Sequence, residues 1–492
     1  MRLKLEGKIN SLYVQSLCMI FFRGEKFPLN EENPRAELYV KATDEELGVS
    51  CYAELICDGQ TVTSQHFEPF DAKDKYERTS KMAIGHAVFD ACVRLTGYLP
   101  PWGLLTGIRP SVVAKELVDN YGETEAIEIL QKKYLLSFDK AKLAVTVAQN
   151  EKLILDSFGS SDCSIYISIP FCPTRCTYCS FISYATKKLF QLIPQYIDRI
   201  VEEIKSTFDV VKRLGLCVST VYIGGGTPTI LSTQQLERIL STVNGCLGNT
   251  KLAEFTVEGG RPDTITEEKL SILKKYGVDR ISVNPQSLND DVLLKIGRSH
   301  TVKDFYDAYH IVLNSGINIV NTDLIAGLDG DSLESFKNTI DKIIDLNPQN
   351  VTVHSFSVKK SAQILKDNCD IYNLNGDFAA ESVNYAYQRL TQSGYIPYYM
   401  YRQKNTVSDL ENVGYAKKDT FGAYNVLMMG DGHTVFGIGA GATTKLVKKT
   451  GEKTEILRIF SPKYPYEYLQ DNQSNEQKIF DFLKGGSSID NN

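Results

Sequence analysis

Tyr166-Ile-Ser-Ile-Pro-Phe-Cys172-Pro-Thr-Arg-Cys176-Thr-Tyr-Cys179-Ser-Phe decides the reading of this chain. Its first half is a strand. Tyr166 and Ser168 share one face, and Ile165, Ile167 and Ile169 share the other. Pro170 ends that alternation and the cysteines follow at once. Working outward, five more β-branched runs predict strands at Thr220–Ile223, Phe255–Glu258, Arg280–Val283, Ile317–Ile325 and Val351–Phe356. Between the six runs, apolar residues recur at helical spacing. They predict helices over Leu189–Leu214, Ser232–Leu247, Thr266–Tyr276, Asp290–Ile296, Val302–Ser315 and Ser332–Leu346. Repeated β-then-α units imply an α/β fold with a parallel sheet. Six of them suit a partial (β/α)6 barrel over residues 159–357, and a doubly wound open sheet fits the periodicity almost as well. In a barrel, the chemistry gathers at the C-terminal strand ends.

The flanks read differently. Residues 1–158 form an extra N-terminal α+β domain. Strand-like alternation at Arg2–Glu6 and Ala36–Val40 gives way to helical spacing over Ser80–Leu95 and from Pro110 to Asp156. Trp102 there is expected to pack in the interior. Residues 358–492 form a mixed, tyrosine-rich C-terminal region. The net charge of −6 gives no general drive toward nucleic acid. Leu17–Phe22 is far too short to span a membrane and lacks the features of a signal peptide. The expected location is cytoplasmic. Eleven cysteines, an odd number, argue against a disulfide scaffold. Eight are scattered singly and read as small core hydrophobes: Cys18, Cys51, Cys57, Cys92, Cys163, Cys217, Cys246 and Cys369.

The remaining trio, Cys172, Cys176 and Cys179, has C-x3-C-x2-C spacing. Thiolates are the usual ligands of iron–sulfur clusters. Three of them leave one iron of a [4Fe-4S] cubane open for an amine and a carboxylate. The competing reading is structural zinc with Cys163 as fourth ligand.

The loop, with Tyr178 before its last cysteine, resembles the signature of radical S-adenosylmethionine (SAM) enzymes. The flanking Ser-Ile-Pro-Phe-Cys-Pro and Cys-Ser-Phe resemble the oxygen-independent coproporphyrinogen III dehydrogenase group, which includes related haem chaperones. The resemblance spans roughly residues 160–445 and implies further site residues. In Tyr222-Ile-Gly-Gly-Gly-Thr-Pro, it assigns Gly225, Gly226 and Thr227 to SAM. It adds Tyr166 and Tyr178, Glu258 in Thr256-Val-Glu-Gly-Gly, Gln286 in Val283-Asn-Pro-Gln, Arg298 in Gly297-Arg-Ser-His, and Asp323 in Asn321-Thr-Asp. The implied cofactors are a [4Fe-4S] cluster and SAM. A tetrapyrrole such as coproporphyrinogen III is the implied substrate, with flavodoxin or ferredoxin as electron donor. The implied reaction turns propionates into vinyl groups by hydrogen abstraction followed by loss of carbon dioxide and one electron. A haem chaperone, or an enzyme acting on another tetrapyrrole, is the alternative. The N-terminal region matches a longer, coproporphyrinogen dehydrogenase-like subgroup, and Phe181 stands where well-known dehydrogenases have another cysteine. Tyr399, Tyr401, Arg402 and Lys404 are candidates for holding propionates. The Gly437-x-Gly439-x-x-Ala442 run mimics a dinucleotide fingerprint, but too little chain follows for repeated βαβ units.

Overall fold

The computed structural model describes residues 1–22, 25–28, 34–71, 75–179, 183–357, 376–403, 410–451, 453–471 and 474–484. It divides into two compact units. One comprises residues 1–149 with 376, 400–403 and 410–411, and the other the remaining described residues from Asn150 onward.

In the first unit, β1 (Arg2–Glu6), β2 (Ala36–Glu45), β3 (Gly48–Cys57) and β4 (Gln60–Pro69) lie side by side in chain order. β1 runs parallel to β2 and the other pairs are antiparallel. Asp58 and Gly59, both at positive φ, close the β3–β4 hairpin as a tight Asp-Gly turn. Period-two burial of Val49, Cys51, Ala53, Leu55 and Cys57 makes one face of the sheet apolar. Helix α2 (Tyr76–Thr96) packs on β3 and β4, burying Ala83, Ala87, Val88 and Ala91, and α1 (Ser11–Phe21) packs along α2. The helical stretch expected beyond Pro110 resolves into α3 (Pro110–Tyr121), α4 (Glu123–Lys132) and α5 (Phe138–Leu155). Trp102 is fully buried, and it has a polar role as well: its indole Nε1 donates to Glu411 Oε2 at 2.7 Å. Lys140 Nζ meets the other oxygen of that carboxylate at 2.6 Å, giving a buried ion pair. His66 and His86 stack at 4.2 Å and 10° beside Glu68. One ring nitrogen of each and a Glu68 oxygen lie within 4.8 Å of one another, with His66 Nε2 3.1 Å from Glu68 Oε2 and His86 Nε2 2.9 Å from Lys133 O.

The second unit carries the parallel sheet. β5 (Asp162–Ile169), β6 (Cys217–Gly225), β7 (Glu254–Glu258), β8 (Arg280–Ser282), β9 (Ile319–Ala326) and β10 (Asn350–Ser355) are parallel neighbours in chain order. They are the six strands anticipated from sequence. The crossovers are α6 (Lys187–Phe190) with α7 (Ile193–Leu214), then α8 (Thr233–Leu247), α9 (Glu267–Lys275), α10 (Asp290–Lys295) with α11 (Val302–Asn314), and α12 (Leu333–Leu346). Their starts are written in the sequence. Ser232 with Gln235 and Thr301 with Asp304 form capping boxes, and Thr266, Asn289 and Ser332 cap α9, α10 and α12. Leu189–Leu214 is not one helix, because the chain breaks just ahead of Pro194.

The C-terminal region adds α13 (Gly376–Gln392), β11 (Ile396–Arg402), β12 (Glu411–Ala416), α14 (Ala423–Met429), β13 (Thr434–Ile438), β14 (Thr443–Thr450), β15 (Lys453–Phe460), α15 (Pro465–Gln470) and α16 (Glu476–Lys484). Its strands extend the same sheet at both sides, in the order β11-β12-β10-β9-β8-β7-β6-β5-β13-β14-β15. β13 is a seventh parallel strand, beside β5. The Gly437–Ala442 run joins β13 to antiparallel β14, so no helix start follows it, as a dinucleotide site requires. Instead, Ala440 O accepts from Ser168 Oγ at 2.9 Å and Ala440 N donates to Tyr196 at 2.9 Å, which seats the turn against β5.

No helix among the described residues is long and apolar enough to cross a membrane. Of the singly placed cysteines, Cys18, Cys51, Cys57, Cys92 and Cys163 are buried as expected. Cys217 is exposed and Cys246 half-buried, because each sits at an element end, and Cys369 lies outside the described residues.

Candidate active site

Parallel pairing brings five strand ends to one edge of the sheet. β5 delivers the cysteine loop. Thr177 N bonds Ile296 O at 3.1 Å and Thr174 Oγ1 bonds Gly297 O at 3.1 Å, so the loop docks on the turn after α10. Cys172, Cys176 and Cys179 are all half-buried. Each sulfur faces a polar side chain: Thr227 Oγ1 to Cys172 at 3.4 Å, Arg261 Nη1 to Cys176 at 3.8 Å, and Ser183 Oγ by Cys179 at 3.9 Å. Burial still pushes the Cys172 thiol up, with Thr227 opposing it. Cys18, by contrast, is driven by burial to about 12 and behaves as an inert core thiol.

β6 ends in glycines because its neighbours leave no room. A Cβ on Gly226 would lie 2.5 Å from Phe171 O and 2.8 Å from Ile169 O. Its own N–H and that of Thr227 bond those carbonyls at 2.8 Å. Gly225, at φ +108°, takes a conformation that side chains disfavour.

Glu258 at the end of β7 accepts from Tyr222 at 2.5 Å and from Gly225 N at 3.2 Å. Burial, reinforced by the Asp323 charge, raises its carboxyl to about 7 despite those bonds. Asp323 on β9 behaves oppositely. Burial works against its ionised form, but His354, Asn321 and Thr352 together hold it below the ordinary range. Asn284 Nδ2 adds a bond to Asp323 Oδ2 at 2.8 Å, and Asn321 one to Oδ1 at 2.7 Å. Gln286, beyond β8, is buried at φ +70°, pinned by Gln286 N to Asp323 O and Ile325 N to Gln286 O. Among the described residues, its side-chain Oε1 has no partner, and neither does Nε of Arg298. Arg298 Nη2 reaches the Tyr178 hydroxyl at 3.0 Å. Tyr166 lies 6.2 Å from both Tyr222 and Tyr424, which themselves stack at 4.4 Å.

Residues 166–343 match the model of the radical SAM superfamily. The chain is 32% identical over 481 residues to the oxygen-independent coproporphyrinogen-III oxidase-like protein HemZ of Bacillus subtilis, covering 95% of each. The chain belongs to this radical SAM family. It is also 33% identical to the heme chaperone HemW of Lactococcus lactis, over 57% of this chain and 69% of that protein. Among solved structures, coproporphyrinogen III oxidase HemN of Escherichia coli matches with a TM-score of 0.50 and 22% identity, over 66% of this chain and 71% of that one, a likeness of fold.

Radical SAM proteins use a [4Fe-4S] cluster and SAM, and the residues here fit both. Thiolates around a single zinc at about 2.3 Å would sit roughly 3.8 Å apart. Among the described residues, however, the cysteine sulfurs do not form a group within 4.8 Å of one another. A single zinc would have to draw these sulfurs closer together. Gln286 Oε1 and Arg298 Nε are a buried acceptor and a buried donor left over, as an amino-acid ligand requires.

Tyr222, Asn284, Asn321, His354 and Arg261 belong to the site and were not singled out from sequence as contacts, except that Asn321 was placed on the Asp323 face. The period-two spacing from Tyr222 to Gly224 was a usable signal for the first. Arg402 is not available as a propionate cation. It is buried, its guanidinium lies 5.4 Å from the Trp102 ring, and it bonds Leu105 O. Tyr399 is buried with its ring against Gly414. Phe181 and Lys404 lie outside the described residues.

Proposed function

We propose that this protein is an oxygen-independent coproporphyrinogen III dehydrogenase, converting propionate side chains to vinyl groups by oxidative decarboxylation. Cys172, Cys176 and Cys179 would hold the cluster. Gly225, Gly226 and Thr227 would admit the amino-acid end of SAM to the backbone. Gln286 Oε1 would accept from its amine, and Arg298 Nε would donate to its carboxylate. Glu258 and Asp323 are acceptors for the nucleoside hydroxyls, and Tyr166 would flank the same ligand. When bound, the reduced cluster supplies the electron with which SAM becomes a source of an alkyl radical able to take hydrogen from carbon. No side-chain acid or base is needed at that carbon. The chain's own tasks are to orient the two ligands and to keep water away.

The observation carrying the substrate assignment is coverage. The likeness to the oxidase-like protein runs through 95% of both chains, including the N-terminal unit. The chaperone reading is favoured by the 33% identity to HemW over most of that protein's length. Anaerobic incubation with coproporphyrinogen III, SAM and a one-electron donor separates them. Two molecules of carbon dioxide per protoporphyrinogen formed are expected. Tight haem binding with no decarboxylation would replace this reading with the chaperone.

A further inference from the structure

Beside the trio of cysteines stands a guanidinium that the site's ligand contacts do not account for. Arg261 follows Glu258-Gly-Gly in the loop after β7 and is 3% exposed. Its fork is divided by side. Nε and Nη2 face the Asp263 carboxylate, at 3.2 and 3.5 Å. Nη2 also meets Ser299 Oγ, which in turn donates to Asp263 Oδ2 at 2.8 Å. Nη1 points the other way, to Thr174 Oγ1 at 3.0 Å and Cys176 Sγ at 3.8 Å. A buried arginine is costly unless each donor is used. Here its partners are Asp263 in its own loop, Ser299 in the turn after α10, and the cysteine loop itself.

We propose that Arg261 is a positioning residue that sets the reduction potential of the cluster by presenting Nη1–H to the Cys176 sulfur. This rests on the reading of Cys172, Cys176 and Cys179 as cluster ligands. The step concerned is [4Fe-4S]2+ plus one electron from a one-electron donor giving [4Fe-4S]1+, with no proton and no bond change. Cluster potentials follow net charge, hydrogen bonds to sulfur and solvent exposure. The added electron is shared with the thiolate sulfurs. A nearby cation and N–H donor therefore stabilise the reduced form more than the oxidised one. Asp263 moderates the effect from the far side, so the two residues act in opposite directions on the same quantity. Lysine cannot replace the arrangement, because a point ammonium cannot serve Asp263, Ser299, Thr174 and Cys176 together.

The test is an EPR-monitored redox titration of the reconstituted full-length protein with dithionite, without substrate or SAM. Relative to wild type, Arg261→Gln is expected to make reduction at least tenfold less favourable at a given potential, a midpoint lowered by 59 mV or more for a one-electron couple. Asp263→Asn is expected to move the midpoint upward. A loop merely loosened by mutation would not give opposite signs. An unchanged midpoint in Arg261→Gln at normal iron content overturns the proposal. If that variant cannot hold iron, Asp263→Asn decides, and a midpoint that is unchanged or lower overturns it. A wild-type protein that takes up no cluster overturns the cysteine reading itself, which iron analysis reports separately.

Discussion

Glu258 makes the most demanding prediction, because in the proposed site its protonation would couple SAM binding to pH. Its carboxyl is raised from 4.5 to about 7, first by burial and then by the charge of Asp323. An acceptor for donor groups on SAM must be ionised, so binding competes with a proton. The apparent dissociation constant scales as one plus the ratio of protonated to ionised carboxyl. That factor is about 11 at pH 6, about 2 at pH 7 and about 1.1 at pH 8. SAM should therefore bind about tenfold more weakly at pH 6 than at pH 8, or about 1.4 kcal/mol.

The same shift has a stability consequence of defined sign. Between pH 4.5 and 7, the folded chain holds a proton that the unfolded chain has lost, so stability falls as pH rises through that window and levels off above 7. The loss is at most about 3 kcal/mol, and less with partial solvent access. Glu258→Gln should thus be more stable than wild type at pH 8 without SAM, yet bind SAM poorly and without the pH slope. Anaerobic calorimetric titration at pH 6, 7 and 8, with urea unfolding of the ligand-free proteins, measures both. His354 lies 3.9 Å from Asp323 Oδ2 and faces the same acids, so His354→Gln is the control that isolates Glu258. Equal affinity at pH 6 and 8, or a slope that persists in Glu258→Gln, would refute the reasoning.

Three further outcomes follow from packing and charge. Gly226→Ala drives a methyl against Phe171 O and Ile169 O, which belong to the stem of the cysteine loop. A cost of about 1–3 kcal/mol and a fall in iron per chain are expected, read by urea unfolding and iron analysis. Lys140→Met leaves the Glu411 carboxylate buried without its cation, with only Trp102 among the bonds described above. It should cost about 3–5 kcal/mol, whereas Lys140→Met with Glu411→Leu should recover part of that in the same denaturation assay. His300 and His433 are both lowered to about 4, chiefly by burial. The unfolded chain takes up those protons first, so stability is lost as pH falls from about 6.5 toward 4. The loss is about 2 kcal/mol per residue at pH 5, and His300→Gln should show a smaller drop between pH 7 and pH 5.

What the sequence reveals is local. The six parallel strands and the caps of the helices between them could be read because each is encoded within a few residues, whereas the order of the strands in the sheet could not, since a barrel and a doubly wound sheet fit the same periodicity. Cys172, Gly226 and Glu258 could be read because motifs follow strands directly. β13 could not. It pairs with β5 although some 270 residues separate their pairing partners, for example Thr434 with Cys163, and no local period announces such a partner. The partners of Arg402 are hidden for a related reason. Its sequence context beside Tyr399 and Tyr401 suggests a cation on an aromatic wall, while its actual partners, Leu105 and Trp102, lie about 300 residues earlier. Arg261 and Asn284 are single polar residues whose role depends wholly on what the fold sets opposite them.

The geometry also bears on how the proposed site would receive a ligand. Most of its polar groups are satisfied internally: Asp323 by Asn284 and Asn321, Glu258 by Tyr222 and Gly225. Internal satisfaction fixes these side chains before anything binds, which lowers the ordering cost of binding. Gln286 is the exception. Its left-handed backbone costs about 1–3 kcal/mol, yet two hydrogen bonds to β9 hold it there with its amide oxygen buried and unpaired. A structural glutamine would relieve both penalties by substitution with glycine or a smaller residue. Among the described residues, the Oε1 of Gln286 and the Nε of Arg298 are an acceptor and a donor left without a protein partner in a buried setting. A ligand end bearing both an amine and a carboxylate answers the pair, whereas a simple anion or a simple cation would answer only half of it.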